Sequence, residues 1–402
     1  MSVTLNVGWT KPQIIRARYL RVWITTSLVI PIVLDFIFFG SPVARYSRIL
    51  IFLIISASLL VNRNDFLTGK FIGFDTTIFT ALLYLVGTFA GLTRGGVITP
   101  NILTLLLFMI IVGLNFDLYE VSLKAIAWSC HVLIFLSIFA IIFKLNPRGF
   151  YSSSIGYPVY FDFLGIPGRN YGVFSHPNFL GEAAALSALF LLANRKNYFL
   201  LLAPLFCIAK CGSRTSIIGL TVGFMIFLIN SILKSRNSPI RRKVESPLII
   251  GTFLLGIFVA SSFQFLNYIK FLDPGTLTGR ASIWQISLSM FQKSPIVGLG
   301  WNWESRAIDS QLLGPWAVSA HNMVLEIIFS SGSLGLLLFL AILTKGVLFF
   351  NRLWIVEKIV LVTILVSGIS EAYIDLQYPT IQTFLLFLII LGANKERQSN
   401  YD

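Results

Sequence analysis

Charged side chains are scarce in this sequence. Only 12% of its 402 residues are charged, whereas 56% are hydrophobic and the mean hydropathy is +0.81. An ordinary soluble domain carries about 25% charged residues, so this balance excludes soluble enzymes as well as disordered and fibrous chains. The long unbroken apolar runs also differ from the alternating strands of a β-barrel. The composition therefore predicts an integral membrane protein built from helices.

Cysteine is also rare, and several cofactor motifs are missing. The three cysteines, Cys130, Cys207 and Cys211, lie in or next to apolar runs without metal-ligand spacing, which supports neither a disulfide framework nor a zinc site. The sequence has no Walker lysine loop, no dinucleotide-binding glycine motif after a strand and no pair of aspartates for a metal-bound sugar nucleotide. We therefore expect no metal and no other cofactor.

Positive charge, by contrast, is in excess. The 31 Lys and Arg outnumber the 17 Asp and Glu, which gives a formal net charge of +14. Lys and Arg collect on the cytoplasmic side of membrane proteins, where they meet anionic lipid heads. Membrane lipids, rather than nucleic acid, are therefore the expected partners of this charge.

Apolar segments of transmembrane length recur about twelve times. A helix needs about 20 mainly apolar residues to cross the hydrocarbon core, and fewer where neighbouring helices shelter it. The segments lie near residues 20–39, 46–61, 74–92, 97–114, 121–143, 177–193, 197–210, 213–233, 247–266, 321–343, 355–374 and 379–393. We predict an all-α polytopic membrane helix bundle of about twelve transmembrane helices, forming one transmembrane domain over residues 1–402. The first segment is too long for a cleavable signal peptide, so we expect it to remain as an anchor.

The distribution of Lys and Arg predicts the orientation. With the N-terminus inside, 19 of the 31 Lys and Arg fall in inner segments, against 5 in the short outer ones. Both termini are therefore predicted to be cytoplasmic, and two long loops, residues 144–176 and 267–320, to lie on the periplasmic side. In the second loop, apolar residues of 280–293 recur at helical spacing. This predicts an amphipathic helix that lies on the membrane surface or caps the bundle.

Two arginines open predicted helices on the outer side. Arg214 follows Ser213 at the start of the eighth segment, and Arg280 follows Gly279 at the start of the amphipathic helix. A helix N-terminus adds backbone N–H groups and a positive dipole end to the guanidinium, and this combination suits phosphate. The alternatives are a snorkelling Arg214 that fixes helix depth and a solvated Arg280 on a surface helix.

Two histidines also lie at outer helix ends. His321 enters the tenth segment, followed by Asn322 and by Glu326 one turn later, and it could either accept a proton or cap the helix. His176 precedes Asn178 at the start of the sixth segment, where it could bind substrate or cap that helix.

The remaining ionisable residues at membrane depth have plainer interpretations. His131 lies in the middle of the fifth segment without a charged neighbour on its face, so we expect it to be structural. Asp35, Glu371 and Asp375 lie near outer helix ends. They could pair with the outer arginines or be solvated at the interface.

Five short motifs follow one another along the chain. They are Gly172-Val173-Phe174-Ser175-His176-Pro177-Asn178, Ser213-Arg214-Thr215, Gly279-Arg280 followed by Ile283-Trp284, Ser294-Pro295-Ile296-Val297-Gly298-Leu299-Gly300, and His321-Asn322 with Gly332 and Gly335 beyond. In order, in spacing and in the outer loop before the His-Asn pair, the sequence resembles the bacterial O-antigen ligase and O-antigen polymerase superfamily over roughly residues 70–390.

This resemblance implies a GT-C-like membrane glycosyltransferase of the bacterial inner membrane. Such an enzyme moves a whole glycan from an undecaprenyl-pyrophosphate-linked donor to an acceptor hydroxyl on the periplasmic face, without a metal. The resemblance implies that Arg214 and Arg280 clamp the pyrophosphate and that His321 is the base. Arg169 is a looser match to the basic residue that precedes the family's His-Pro-Asn motif.

The acceptor and the class of activity leave alternatives open. In the ligases of the family the acceptor is a sugar of the lipid A core, and in the polymerases it is the end of another repeat unit of the polysaccharide. An exporter or flippase of anionic glycolipids would also place Arg and His around an outer cavity. Such a transporter should show repeat symmetry, which the sequence does not show. We therefore favour a transferase of the O-antigen ligase type.

Overall fold

The chain is described here by a computed structural model. It describes residues 21–22, 24–26, 28–34, 37, 74–94, 101–114, 117–143, 145, 170–174, 176–193, 198–235, 280–313, 319–350, 353–369, 371–372 and 380–393. Every regular element within these ranges is helical, and no strand occurs in them. The predicted segments 46–61 and 247–266 lie outside the described residues, as do Arg169, Asp35 and Asp375.

We number the α-helices in chain order from Phe74. They are α1 (Phe74–Leu92), α2 (Asn101–Leu114), α3 (Asp117–Ile142), α4 (Pro177–Ala193), α5 (Leu202–Cys211), α6 (Arg214–Ser235), α7 (Arg280–Phe291), α8 (Trp303–Asp309), α9 (Met323–Leu348), α10 (Ile355–Gly368) and α11 (Ile381–Ala393). A 3₁₀ turn, Tyr198–Leu201, leads into α5, and an apolar helical stretch, Ile24–Leu34, precedes α1.

The described helices are those of a membrane protein. Four of them are long and apolar enough to cross a bilayer, at Asp75–Leu92, Tyr119–Ile142, Arg214–Ser231 and Met323–Leu348. The prediction of a helical membrane protein is thus confirmed, whereas the count of twelve spans stays a prediction. Two shorter helices, α4 and α11, are buried over most or all of their length. Because neighbouring helices cover them, they can be shorter than an isolated span.

The helices pack around α4 and α10. Helix α4 contacts α3, α5, α6 and α10, while α10 also packs along α6 and against α11. Helix α9 lies along α1 in the opposite direction, so that Gly335 of α9 meets Leu83 of α1. This arrangement brings the first turns of α4, α6 and α9 to the same end of the bundle as the last turn of α10.

Helix α9 is interrupted at Gly332, and a loop from the second predicted outer segment fills the break. Gly332 has φ 70° and ψ −169°, which is not helical and which only glycine adopts readily. Four backbone hydrogen bonds join the loop to the break: Leu299 N to Phe329 O (2.6 Å), Gly300 N to Ser330 O (2.8 Å), Ser333 N to Pro295 O (2.9 Å) and Leu334 N to Ile296 O (3.1 Å). The loop thus satisfies the polar groups that the broken helix would otherwise leave unpaired.

The same loop is also fixed against α1. Trp301 donates its indole N–H to the carbonyl of Tyr84 at 3.0 Å and stacks on the Tyr84 ring at 6.2 Å. A side chain at Gly300, which has φ 90°, would overlap the backbone of Gly91. Arg306 of α8 donates to the carbonyls of the loop, including that of Trp301 at 3.2 Å. Burial lowers the pKa of the Arg306 guanidinium.

Candidate functional site

Polar side chains from four elements converge at one end of the bundle, which we call the site end. Asn178 lies in the first turn of α4, Arg214 begins α6, His321 directly precedes the cap of α9, and Glu371 follows α10. Side-chain hydrogen bonds join the first turn of α4, the start of α9 and the end of α10. The fourth, α6, packs closely on Gly181 of α4, where any added side chain would overlap Ser216 of α6 and Ser213 directly before it.

Glu371 is at the centre of this arrangement. Its side chain is nearly buried, at 7% exposure, and one carboxylate oxygen, Oε2, lies 3.0 Å from Nδ1 of His321. The other oxygen, Oε1, accepts a hydrogen bond from the side-chain amide of Asn178. When Nδ1 carries the proton and donates to Glu371, Nε2 has a lone pair to accept another proton. A carboxylate that orients a histidine in this way is typical of a general base.

The backbone of His321 adopts an uncommon conformation. Its φ is 48°, in the left-handed region that residues other than glycine adopt only at a cost. The side chain is 16% exposed, so the ring is held by protein on one side and reached from outside on another. The His321 amide donates to Oγ of Ser319 at 3.2 Å. A defined orientation together with partial access is what proton transfer to a substrate requires.

Asn322 fixes the start of α9. Its side-chain oxygen accepts hydrogen bonds from the amides of Val324 (2.9 Å) and Leu325 (3.0 Å), as an N-cap residue does. Its side-chain amide donates to the carbonyl of Ile369, directly after α10, at 2.7 Å. Asn322 therefore joins the beginning of α9 to the end of α10, the two segments that carry His321 and Glu371.

Glu326 lies one turn further along α9 and is surrounded by hydrogen-bond donors. Its Oε1 accepts from the indole of Trp303 at 3.1 Å and from the hydroxyl of Ser330 at 3.2 Å, and its Oε2 accepts from the amide of Ala320 at 2.9 Å. The residue is only 8% exposed. These contacts give Glu326 a place in the scaffold that holds the segment before α9.

The other two histidines make different contacts. His176 accepts a hydrogen bond at Nδ1 from the amide of Asn178 at 3.1 Å and packs edge-on against Phe179 at the start of α4. His131 of α3 is buried, with Nδ1 2.7 Å from the hydroxyl of Ser187 in α4. His176 thus lies at the site end as part of a helix start, and His131 lies inside the bundle.

The three candidate arginines are described to different extents. Arg214 is exposed at the first position of α6. Arg280 is the first residue of α7, and this helix reaches the site end because the indole of Trp284 donates to the carbonyl of Ala320 at 2.7 Å. Arg169 lies outside the described residues, but its neighbour Asn170 donates its amide to the carbonyl of Lys210 at 3.1 Å. The helix bearing Arg280 therefore contacts the His321 segment, and the helix bearing Arg214 packs on α4 and α10.

Glu371 is the residue whose role the sequence did not reveal. The sequence offered an arginine partner or solvation for it, whereas the structure gives it His321 and Asn178 and buries it. Glu182, one turn below Asn178 on α4, is also fully buried beneath this group. Both glutamates lie near the predicted outer ends of apolar segments. Because a carboxylate at membrane depth is costly, this position in the sequence could have identified them as candidates.

The fold and this site together define a helical membrane protein with a polar, histidine-containing site at one end of its bundle. Residues 199–340 match the family model described as O-antigen ligase. This match confirms the resemblance to the O-antigen ligase and polymerase superfamily. The match runs from the 3₁₀ turn before α5 into α9 and includes Arg214, Arg280 and His321. It supports an activity of the O-antigen ligase or polymerase type.

No curated protein and no solved structure matches the chain significantly.

Proposed function

We propose that this protein is a membrane glycosyltransferase of the O-antigen ligase type. It transfers a glycan en bloc from an undecaprenyl-pyrophosphate-linked donor to a hydroxyl of an acceptor, a sugar of the lipid A core. The single observation that carries the proposal is the hydrogen-bonded pair of His321 and Glu371 at the end of the bundle where α4, α6 and α9 begin. The pair supplies a base, and Arg214 at the start of α6 supplies positive charge for a departing phosphate.

His321 acts as the base in this proposal. Nε2 accepts the proton of the acceptor hydroxyl while the hydroxyl oxygen forms a bond to the anomeric carbon of the glycan. The bond between that carbon and the pyrophosphate oxygen breaks, and undecaprenyl pyrophosphate leaves with the bonding electrons. Glu371 stabilises the imidazolium that forms, because its carboxylate lies 3.0 Å from Nδ1.

Positive charge stabilises the leaving group. Arg214 begins α6 and Arg280 begins α7, so in both places a guanidinium is combined with the N-terminal dipole of a helix. The pyrophosphate gains negative charge as the glycosidic bond breaks, and such donors stabilise this charge by several kcal/mol in a shielded site. Arg169 is the further candidate on this side of the site.

The proposed membrane arrangement follows the charge distribution. About twelve spans place both termini in the cytoplasm and the site end in the periplasm of a bacterial inner membrane. The contacts support this arrangement, since Asn170 of the first predicted outer loop binds Lys210 shortly before α6, and Ala320 of the second directly precedes His321. Lys345, which the charge count places inside, pairs with Asp75 at the opposite end of the same helix pair.

The test is product formation by the purified chain in liposomes with a defined undecaprenyl-pyrophosphate glycan. We expect glycan on the acceptor and release of undecaprenyl pyrophosphate. A lipid A core acceptor and a second repeat unit, offered in separate reactions, distinguish ligase from polymerase. Glycan that crosses the bilayer but stays on its original carrier would contradict the proposal and favour a flippase.

His321→Ala gives the first prediction on this reaction. We expect it to lower turnover by about 10² to 10⁴-fold while donor binding survives, because a base acts on the transition state. His131→Asn is the matched control, because His131 is buried between α3 and α4 away from the site end. Full activity of folded His321→Ala would show that His321 is not the base.

A further inference from the structure

The backbone of Ala320, the residue directly before His321, is held at both its amide and its carbonyl. The Ala320 amide donates to Oε2 of Glu326 at 2.9 Å, and the Ala320 carbonyl accepts from the indole N–H of Trp284 at 2.7 Å. That carbonyl belongs to the peptide bond between Ala320 and His321. Because peptide bonds are planar, fixing the carbonyl fixes the plane from which φ of His321 is measured.

This matters because His321 has φ 48°. A non-glycine residue in this region is strained and persists only where the surroundings determine its conformation. The bond from Trp284 is one of the contacts that hold the preceding peptide in place. Without it, the backbone of His321 is free to relax towards a commoner conformation, and its ring would then move relative to Glu371.

Trp284 belongs to a part of α7 that packs against buried residues. Its neighbour Ile283 is 1% exposed and packs in a cluster that includes Ala320, Trp303 and Phe329. Arg280 is the first residue of this helix, four residues before Trp284. One hydrogen bond thus joins the helix that begins with Arg280 to the peptide that orients His321.

We propose that Trp284 is a positioning residue that holds the Arg280 helix and the His321 backbone in a fixed relation, so that the pyrophosphate site and the base meet the same donor. This inference rests on the proposed function. It adds a residue that acts through His321 without touching the reacting atoms. Glu326 contributes to the same purpose from the amide side of Ala320.

The chain offers a matched control for this bond. Trp301 also donates its indole N–H to a backbone carbonyl, that of Tyr84 at 3.0 Å, but this bond connects the loop to α1 instead of the Ala320 peptide. Replacing either tryptophan by Phe removes one N–H donor and keeps an aromatic ring. A merely structural role predicts similar consequences for the two variants.

The experiment compares Trp284→Phe with Trp301→Phe in the full chain, using the undecaprenyl-pyrophosphate glycan and acceptor assay. We expect Trp284→Phe to lower kcat by about 10- to 100-fold with the donor KM changed less than threefold, since small displacements of a catalytic group cost this much. Trp301→Phe should keep kcat within about twofold at a comparable loss of thermal stability. Equal kcat values for the two variants would overturn the inference.

A double-mutant cycle tests whether Trp284 acts through His321. In the His321→Ala background, Trp284→Phe should cause no further loss, because the residue that it positions is gone. A further loss as large as in the wild-type background would overturn the inference. Glu326→Gln serves as a second variant if Trp284→Phe folds poorly, and it should show the same loss of kcat and the same dependence on His321. Should His321→Ala itself stay fully active, the proposed function and this inference both fail.

Discussion

Two buried glutamates at opposite ends of the bundle differ in their partners. At the site end, Glu371 binds the ring of His321 and the amide of Asn178. At the other end, Glu357 in the first turn of α10 accepts from the hydroxyl of Tyr119 at 2.8 Å and from the amide of Trp354 at 2.7 Å. Both glutamates are less than a tenth exposed.

The partners of Glu357 serve the fold. The bond to Trp354 satisfies an amide at the N-terminus of α10, and the bond to Tyr119 joins that helix end to α3. Nearby, Lys345 at the end of α9 pairs with Asp75 at the start of α1 and lies 5.5 Å from the centre of the Phe79 ring. These groups hold helix ends together.

The partner of Glu371, by contrast, is itself able to carry a proton and is partly exposed. His321 also has a left-handed backbone, which costs energy. Burial of a carboxylate in a membrane protein therefore does not by itself indicate chemistry. A partner that can accept a proton, is accessible from outside and has a strained backbone does indicate chemistry.

The largest expected difference between the two ends is their reaction with a membrane-impermeant thiol reagent. Ser310→Cys and Ser153→Cys, in a chain without its own cysteines, should be labelled in intact cells because both lie in the predicted periplasmic loops. Ser238→Cys, in the basic segment that the charge count places inside, should be labelled only after permeabilisation. The reverse pattern would place the His321 site in the cytoplasm.

The second prediction exchanges one buried carboxylate at each end. Glu371→Gln should lower turnover by about 10²-fold at nearly unchanged donor binding, because a neutral amide no longer stabilises the imidazolium at His321. Glu357→Gln is its counterpart and should lower thermal stability while turnover per folded molecule stays within about twofold. If both variants lost turnover equally, the distinction between the two ends would be lost.

The third prediction exchanges a cation at each end. Arg214→Lys should weaken donor binding and turnover together by about tenfold, because an ammonium group cannot replace the two-pronged guanidinium on a pyrophosphate. Lys345→Met should change thermal stability only, since Lys345 pairs with Asp75. Donor binding measured with labelled undecaprenyl pyrophosphate is the readout. Normal binding by Arg214→Lys and Arg214→Ala would place the clamp elsewhere, with Arg169 the next residue to examine.

The smallest expected effect is that of Tyr119→Phe. Loss of the hydroxyl removes a 2.8 Å hydrogen bond to Glu357 and should destabilise the chain by about 1 to 3 kcal/mol. Glycan transfer at temperatures well below unfolding should not change. Thermal unfolding in detergent measures the first quantity and the liposome assay the second. A loss of transfer without a loss of stability would show that this end also takes part in the reaction.

Much of the helical framework was readable from the sequence. The predicted segments 74–92 and 177–193 coincide with α1 and α4, because a run of apolar residues and its flanking turn residues are local properties. The tenth predicted segment, 321–343, differs from α9 in both bounds. Asn322 caps the helix and leaves His321 outside it, and the break at Gly332 depends on a loop some 30 residues earlier in the chain.

The sequence by itself determined the class of protein, the resemblance to its superfamily, and the placing of His321 and Arg214 at helix starts. Each of these rests on composition or on residues close together in the chain. Only the tertiary structure decided that Glu371 holds His321 and that Trp284 holds the peptide before it. Glu371 lies 50 residues from His321 and 193 from Asn178. Their pairing arises from the packing of α4, α9 and α10, which short-range patterns do not encode.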